Sequence, residues 1–175
     1  MAVTEHRNLK SAIIIVTTGF IVGNCAICTL GWLKHGSSCY KFASDKMTWE
    51  NGSTYCQDLG GMLLVIESEE ENDFITGKLR NLNMIRAWLG CSDKDSEGTW
   101  MCYADEGITR MQYENWADEK PNNFRGQDCG VIEKNKDGKW KDRGCNILRS
   151  TICEKSSRVS TMSCYSLDSD GRFYP

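Results

Sequence analysis

The chain has two prolines and two histidines in 175 residues. So few imidazoles leave little for a His-based catalytic triad or a His-containing zinc site. No pair of C-x2-C motifs occurs to hold zinc through thiolates alone. No dense Lys/Arg run follows residue 25, which argues against a nucleic-acid partner. No internal repeat is visible. The longest apolar run, Ala12 to Val22, spans eleven residues. A membrane-spanning helix needs about 20, so stable membrane insertion is not expected.

What is present points outside the cytosol. Ten cysteines in a chain of one-domain length read as oxidised pairs. Arg7 and Lys10 precede the apolar run, the layout of a secretory leader, with small residues near Cys25 and Ala26 to mark a cleavage site. Residues 1–25 are therefore expected to be a signal peptide and the mature protein to be secreted. An uncleaved anchor from Ser11 to Leu30 is the alternative. Net charge is −3, so no strong field selects a partner class.

Local signals give an α+β pattern. Gly31 to Phe42 reads as two short strands closed at His35-Gly36-Ser37. Thr48 can cap a helix to Leu59 with Trp49, Cys56 and Leu59 inward, ended by Gly60-Gly61. Met62 to Ile66 is a strand. Ser68 with Glu71 forms a capping box, and Phe74, Ile75 and Leu79 turn inward from the helix that follows. Ala87–Cys91 and Thr99–Tyr103 read as strands around a polar turn, Asp93–Gly98. A long polar loop runs from Tyr113 to Gly126. Val131-Ile132, Lys139-Trp140 and Ser150–Glu154 close the fold. A Ser-rich, flexible tail is expected over 155–175. Asn51-Gly52-Ser53 is an N-glycosylation sequon within the first helix, usable if Asn51 faces outward.

Several ordered elements carry a resemblance. Cys28 and Cys39 bracket Gly31-Trp32, and Ser38-Cys39-Tyr40 precedes a helical Cys56. Trp88-Leu89-Gly90, Glu97-Gly98-Thr99-Trp100, Asn115-Trp116, Pro121-Asn122 and Asp128-Cys129 follow. Trp140-Lys141-Asp142, Cys145 and Ile152-Cys153-Glu154 complete the series. Over residues 28–154 this resembles a C-type lectin-like domain: two helices flanking small antiparallel sheets, rich in disulfides, with a long ligand-binding loop. The resemblance implies the pairs Cys28–Cys39, Cys56–Cys153 and Cys129–Cys145. Cys91 and Cys102 flank the Asp93–Gly98 turn on strands expected to be antiparallel neighbours, where facing Cα atoms lie within disulfide reach; two buried free thiols are the other reading. Cys164 is left for an intermolecular bridge in a covalent homodimer, or for an internal bridge to Cys25.

In sugar-binding members of that family, one calcium is held by an acid-Pro-Asn triplet, a later Glu and an Asn-Asp pair after a Trp. Here the corresponding residues are Lys120-Pro121-Asn122, Gln127 and Lys141-Asp142. Calcium needs six to eight hard oxygens, and an ammonium donates hydrogen bonds rather than accepting them. The resemblance thus implies a degenerate primary site, with Lys120 or Lys141 near the vacated cation position and paired with Asp142, and a cis Lys120–Pro121 bond. Asp93, Glu97, Asn123 and Asp128 fall on or near the family's accessory calcium site. A solvated acidic turn with loop caps would leave the same residues. The tryptophans are assigned to core and loop anchoring.

A binding module is expected, not an enzyme, with a glycan or glycoprotein ligand met through the loop face of Lys120, Pro121, Asn122, Gln127, Lys141 and Asp142. Two lysines there would favour an anionic sugar. The alternative is a calcium-independent protein-binding, structural or immune-recognition role with no sugar ligand.

Overall fold

A computed structural model describes residues 25–134, 137–160, 166–167 and 173–174. The expected leader before Cys25, and Cys164, lie outside these residues. In chain order the elements are β1 (Cys25–Ile27), β2 (Leu33–His35), β3 (Ser38–Met47), α1 (Trp49–Asp58), β4 (Met62–Leu63), α2 (Glu69–Asn81) and β5 (Arg86–Ser92). Then come β6 (Met101–Ala104), β7 (Gly107–Arg110), β8 (Cys129–Glu133), β9 (Trp140–Arg143), β10 (Arg149–Ser156), β11 (Arg158–Ser160), β12 (Ser166–Leu167) and β13 (Phe173–Tyr174). The chain divides into two compact units, and Cys28–Ser157 is the larger.

In that unit β10 is the hub. It pairs antiparallel with β3 and β4, and meets β5 in parallel at Ser150↔Ala87. β5 pairs antiparallel with β8, and β8 with β9. The β6–β7 hairpin extends the sheet from β5. Sequence reading places no strand over Gly107–Arg110. All four of its residues are exposed, so neither buried apolar residues nor alternation mark it.

Both helices start where their caps predict. Thr48 Oγ1 accepts from Asn51 N at 3.3 Å, and Ser68 Oγ accepts from Glu71 N at 3.2 Å. The Glu71 carboxylate reaches back to Glu67 N at 2.9 Å, one residue before the cap. Trp49, Gly52 and Cys56 are buried along α1, with Leu59 at its C-cap packed on the same cluster. Asn72, Ile75, Thr76 and Leu79 are buried along α2. Phe74 is partly buried and stacks on His35, ring centroids 3.9 Å apart.

One core cluster gathers Tyr40, Leu64, Ile75, Leu89, Ile132, Trp140 and Ile152 between α2 and the sheet. A second packs Trp49, Leu63, Trp88 and Val131 around Cys56, Cys129 and Cys153. The bridges are Cys28–Cys39, Cys56–Cys153, Cys91–Cys102 and Cys129–Cys145. Cys56–Cys153 ties α1 to β10 across 97 positions, a constraint on the unfolded chain of about 4–5 kcal/mol in the loop-entropy account. Cys91 and Cys102 face each other across β5 and β6.

In the smaller unit, Arg158–Ser160 pairs antiparallel with Cys25–Ile27, and Ser166–Leu167 with Phe173–Tyr174. The segment read from sequence as a flexible tail therefore contains paired strands. Its serines hide a β-former, Val159, which sits opposite Ala26.

Candidate functional site

The long loop between β7 and β8 is pinned from inside by tryptophans. Trp116 packs between Trp100 and Trp140, centroids 4.7 and 5.8 Å away. Trp140 N donates to Asn115 O at 2.8 Å, and Ala117 N to Trp140 O at 2.9 Å. Trp140 Nε1 donates to the buried Asn72 Oδ1 at 2.8 Å, which locks β9 to α2. Gly138 completes this contact: at φ +67° it makes the turn into β9, and a Cβ there would lie 2.1 Å from Thr76 Oγ1.

Alternation along β9 decides what faces the loop. Trp140 and Asp142 are buried, while Lys141 and Arg143 point to the other side. Asp142, with no exposed side-chain surface, organises the loop beyond the cis Lys120–Pro121 bond. Its Oδ2 accepts from Asn122 N at 2.9 Å and Asn123 N at 2.7 Å. Its Oδ1 lies 2.8 Å from Lys120 Nζ. Lys120 Nζ also donates to Asn122 Oδ1 at 2.7 Å and Gln127 Oε1 at 3.3 Å. The ammonium thus makes two hydrogen bonds, to Asn122 and Gln127, and an ion pair with Asp142, which draws three parts of the loop face together. Burial works against ionisation of Asp142, but the Lys120 contact and the two loop amides outweigh it and hold the carboxyl below its usual range.

The structure thus brings Lys120, Asn122, Gln127 and Asp142 together. Lys141 is elsewhere. Its Nζ lies 2.9 Å from Glu133 Oε2, and Arg86 pairs with the same carboxylate. Of the two lysines, Lys120 is the one paired with Asp142. Lys120 is 14% exposed and its donors are committed, so the loop face presents no free ammonium for an acidic sugar. The outer surface of the loop carries Pro121, Asn122, Phe124 and Arg125; Phe124 is 60% exposed, with the Arg125 guanidinium 5.1 Å from its ring centre.

Beside this cluster, carboxylate oxygens of Asp93, Glu97 and Asp128 lie within 4.8 Å of one another. Asp93 Oδ2 accepts from Gly98 N at 2.9 Å, while Asp93 Oδ1 is buried without a hydrogen-bond partner. Burial, then the nearby Asp128 and Asp142 charges, push the Asp93 carboxyl up; Glu97 is raised as well, by desolvation and by Asp93 and Asp128. Converging carboxylates with one orphaned buried oxygen fit a hard divalent cation such as calcium. Asn123 links the two clusters. Its amide N–H donates to Asp142, its Oδ1 accepts from Gln127 N at 2.8 Å, and its Nδ2 donates to Glu97. Asn123 therefore turns its amino group, not an oxygen, toward the carboxylates.

Sequence reading missed an acidic pair on another face. Tyr40 Oη donates to Glu71 Oε1 at 2.7 Å, and Glu154 Oε2 accepts from Val65 N at 3.2 Å. Burial, with the Glu71 charge, pushes Glu154 up to about 8. The signal for Glu154 in the sequence is its place at the end of a buried apolar run, Ile152-Cys153-Glu154.

The Lectin C-type domain family matches residues 45–155, and the chain belongs to this family. Mouse asialoglycoprotein receptor 2 is 34% identical over 139 residues, covering 76% of this chain and 44% of that protein. Mouse CD209 antigen-like protein D is 36% identical over 144 residues, 81% of this chain and 56% of that protein. The chain spans about half the length of the curated relatives it matches. Among solved structures, the mouse scavenger receptor C-type lectin carbohydrate-recognition domain aligns with a TM-score of 0.67 at 28% identity, covering 76% of this chain and 99% of that one. A calcium-independent type II antifreeze protein aligns with a TM-score of 0.66 at 29% identity, covering 75% and 96%.

Proposed function

We propose that this chain is a secreted lectin-like binding module that recognises a glycan or glycoprotein through the loop face around Pro121, with no calcium in the primary position. The observation that carries this is the Lys120 ammonium bound by Asp142, Asn122 and Gln127. It places a positive charge among the oxygens a dication would need, so those residues do not fit a primary calcium ion. The lysine takes over the bracing part of the ion's work. Contact with the ligand falls to the outer surface of Asn122, Phe124 and Arg125. Asp93, Glu97 and Asp128 are suited to hold an accessory calcium, which would stiffen the same loop from beneath. Residues 1–25 serve as leader and 28–154 as the binding domain in this reading. Asn51, exposed on α1, carries an N-glycan, and Cys164 bridges two copies.

A second reading, a protein ligand with no sugar, is favoured by the exposed Phe124 beside Arg125 and by likeness to a fold relative described as calcium-independent. A glycan array probed with and without chelator separates the two. Chelator-insensitive glycan binding that Phe124→Ala weakens supports the first reading. Chelator-sensitive binding to neutral sugars overturns it. Silence on the array, with retained binding to a deglycosylated glycoprotein, selects the second.

A further inference from the structure

Lys141, turned away from the loop face, joins a group of cations on another part of the sheet. Arg86 on β5 is opposite Glu133 on β8, and Lys141 on β9 reaches the same carboxylate. Arg143 shares the outward side of β9 with Lys141. Arg149, at the start of β10, stands close enough to Arg86 and Arg143 to feel both charges. Lys46 and Arg149 line one hollow with Ile85, Arg86 and Leu148. Five cations thus gather on this part of the sheet in a chain of net charge −3, two of them paired with the buried Glu133. Glu133 sets one negative charge against both Arg86 and Lys141, and Lys46, Arg143 and Arg149 form no ion pair among the described residues. Arg149 Nε is buried with no hydrogen-bond acceptor, and Arg149 Nη1 reaches only its neighbour's carbonyl, Leu148 O, at 2.8 Å.

From this arrangement we infer that the surface spanning Lys46, Arg86, Arg143 and Arg149 is a second binding site, for a sulfated polysaccharide. Guanidinium groups fixed on strands match the oxygens of a sulfate in two-point hydrogen bonds. Ile85 and Leu148, 55% and 56% exposed, flank the hollow and suit the apolar faces of pyranose rings. A peptide partner is less well served. β5 and β10 are flanked by strands on both sides here, which leaves a peptide only the outer edges of β3 and β9 to extend.

The test is retention of the full chain on immobilised heparin in a salt gradient. The wild type is expected to elute above roughly 0.3 M salt, with an affinity that falls steeply as salt rises, as counterion release requires. Lys46→Ala with Arg149→Ala spares both Glu133 pairs. It is expected to weaken heparin binding at least ten-fold and to flatten the salt dependence by about two contacts. Lys46→Glu alone, at an exposed position, is expected to weaken it in the same direction and guards against misfolding of the double variant. Desulfated heparin is expected not to bind. Equal retention of wild type and both variants, or elution below physiological salt, overturns the site. Tighter binding of polyglutamate than of heparin overturns the ligand class and points to an acidic protein. Phe124→Ala leaves heparin retention unchanged, so failure of the loop-face reading and failure of this one are distinguishable.

Discussion

Lys120 Nζ lies 2.8 Å from Asp142 Oδ1, and the carboxylate's other oxygen holds the amides of Asn122 and Asn123. One ion pair therefore sets both the charge and the backbone shape of the loop face. Removing the ammonium as Lys120→Ala leaves a buried carboxylate unpaired and is expected to cost about 2–4 kcal/mol. Asp142 is held below its usual range in the folded protein. Its contribution is complete above the unfolded value near 3.9 and is lost as pH falls through the folded value. In Lys120→Ala that loss begins at higher pH. Denaturant unfolding of both proteins across pH 2–7 reads the difference.

Calcium is expected to raise the melting temperature through Asp93, Glu97 and Asp128. At a hundredfold excess over the dissociation constant the gain is about 2.7 kcal/mol. Asp93→Asn is expected to abolish it. Because Asp93 and Glu97 are both raised, protons compete with the ion, and the calcium-induced shift shrinks on acidification. Scanning calorimetry with calcium and with chelator checks each point.

Glu154 has a folded pKa of about 8, raised by burial and by Glu71. The folded state keeps the proton that the unfolded chain releases near 4.3. Its stability is therefore greatest below that value and declines as pH rises toward 8, a loss on the order of 5 kcal/mol. Glu154→Gln keeps an oxygen for Val65 N and removes the decline, so the variant is expected to be more stable than wild type at pH 8. Urea unfolding at pH 5 and pH 8 tests the sign.

Asn72→Ala strands the buried indole N–H of Trp140 and loosens β9, the strand that carries Asp142. A cost of about 1–3 kcal/mol is expected. Loop-face ligand binding should fall with it, because Asp142 loses its rigid support. Paired unfolding and binding measurements separate the two effects.

The cysteine and tryptophan framework was legible because each such residue must find a partner or a core. Both helix starts were legible because Thr48 and Ser68 cap by short-range chemistry. Lys120's substitution into the acid-Pro-Asn triplet could be read directly. The direction of Lys141 was harder. It follows from alternation with Trp140 and Asp142, but the strand expected from sequence, Lys139-Trp140, stops short of both Lys141 and Asp142. The basic surface was invisible for another reason: Lys46, Arg86, Arg143 and Arg149 are scattered along the chain and meet only when β3, β5, β9 and β10 pair. The Val159 strand was obscured by its serine-rich surroundings.

The most direct test of the central claim is calcium stoichiometry by titration calorimetry on wild type and Asp93→Asn. A lysine seated in the primary position predicts no more than one ion in the wild type and none in the variant. A calcium ion that still binds Asp93→Asn, and is lost on Asp142→Asn, would contradict the assignment of Lys120 to that place.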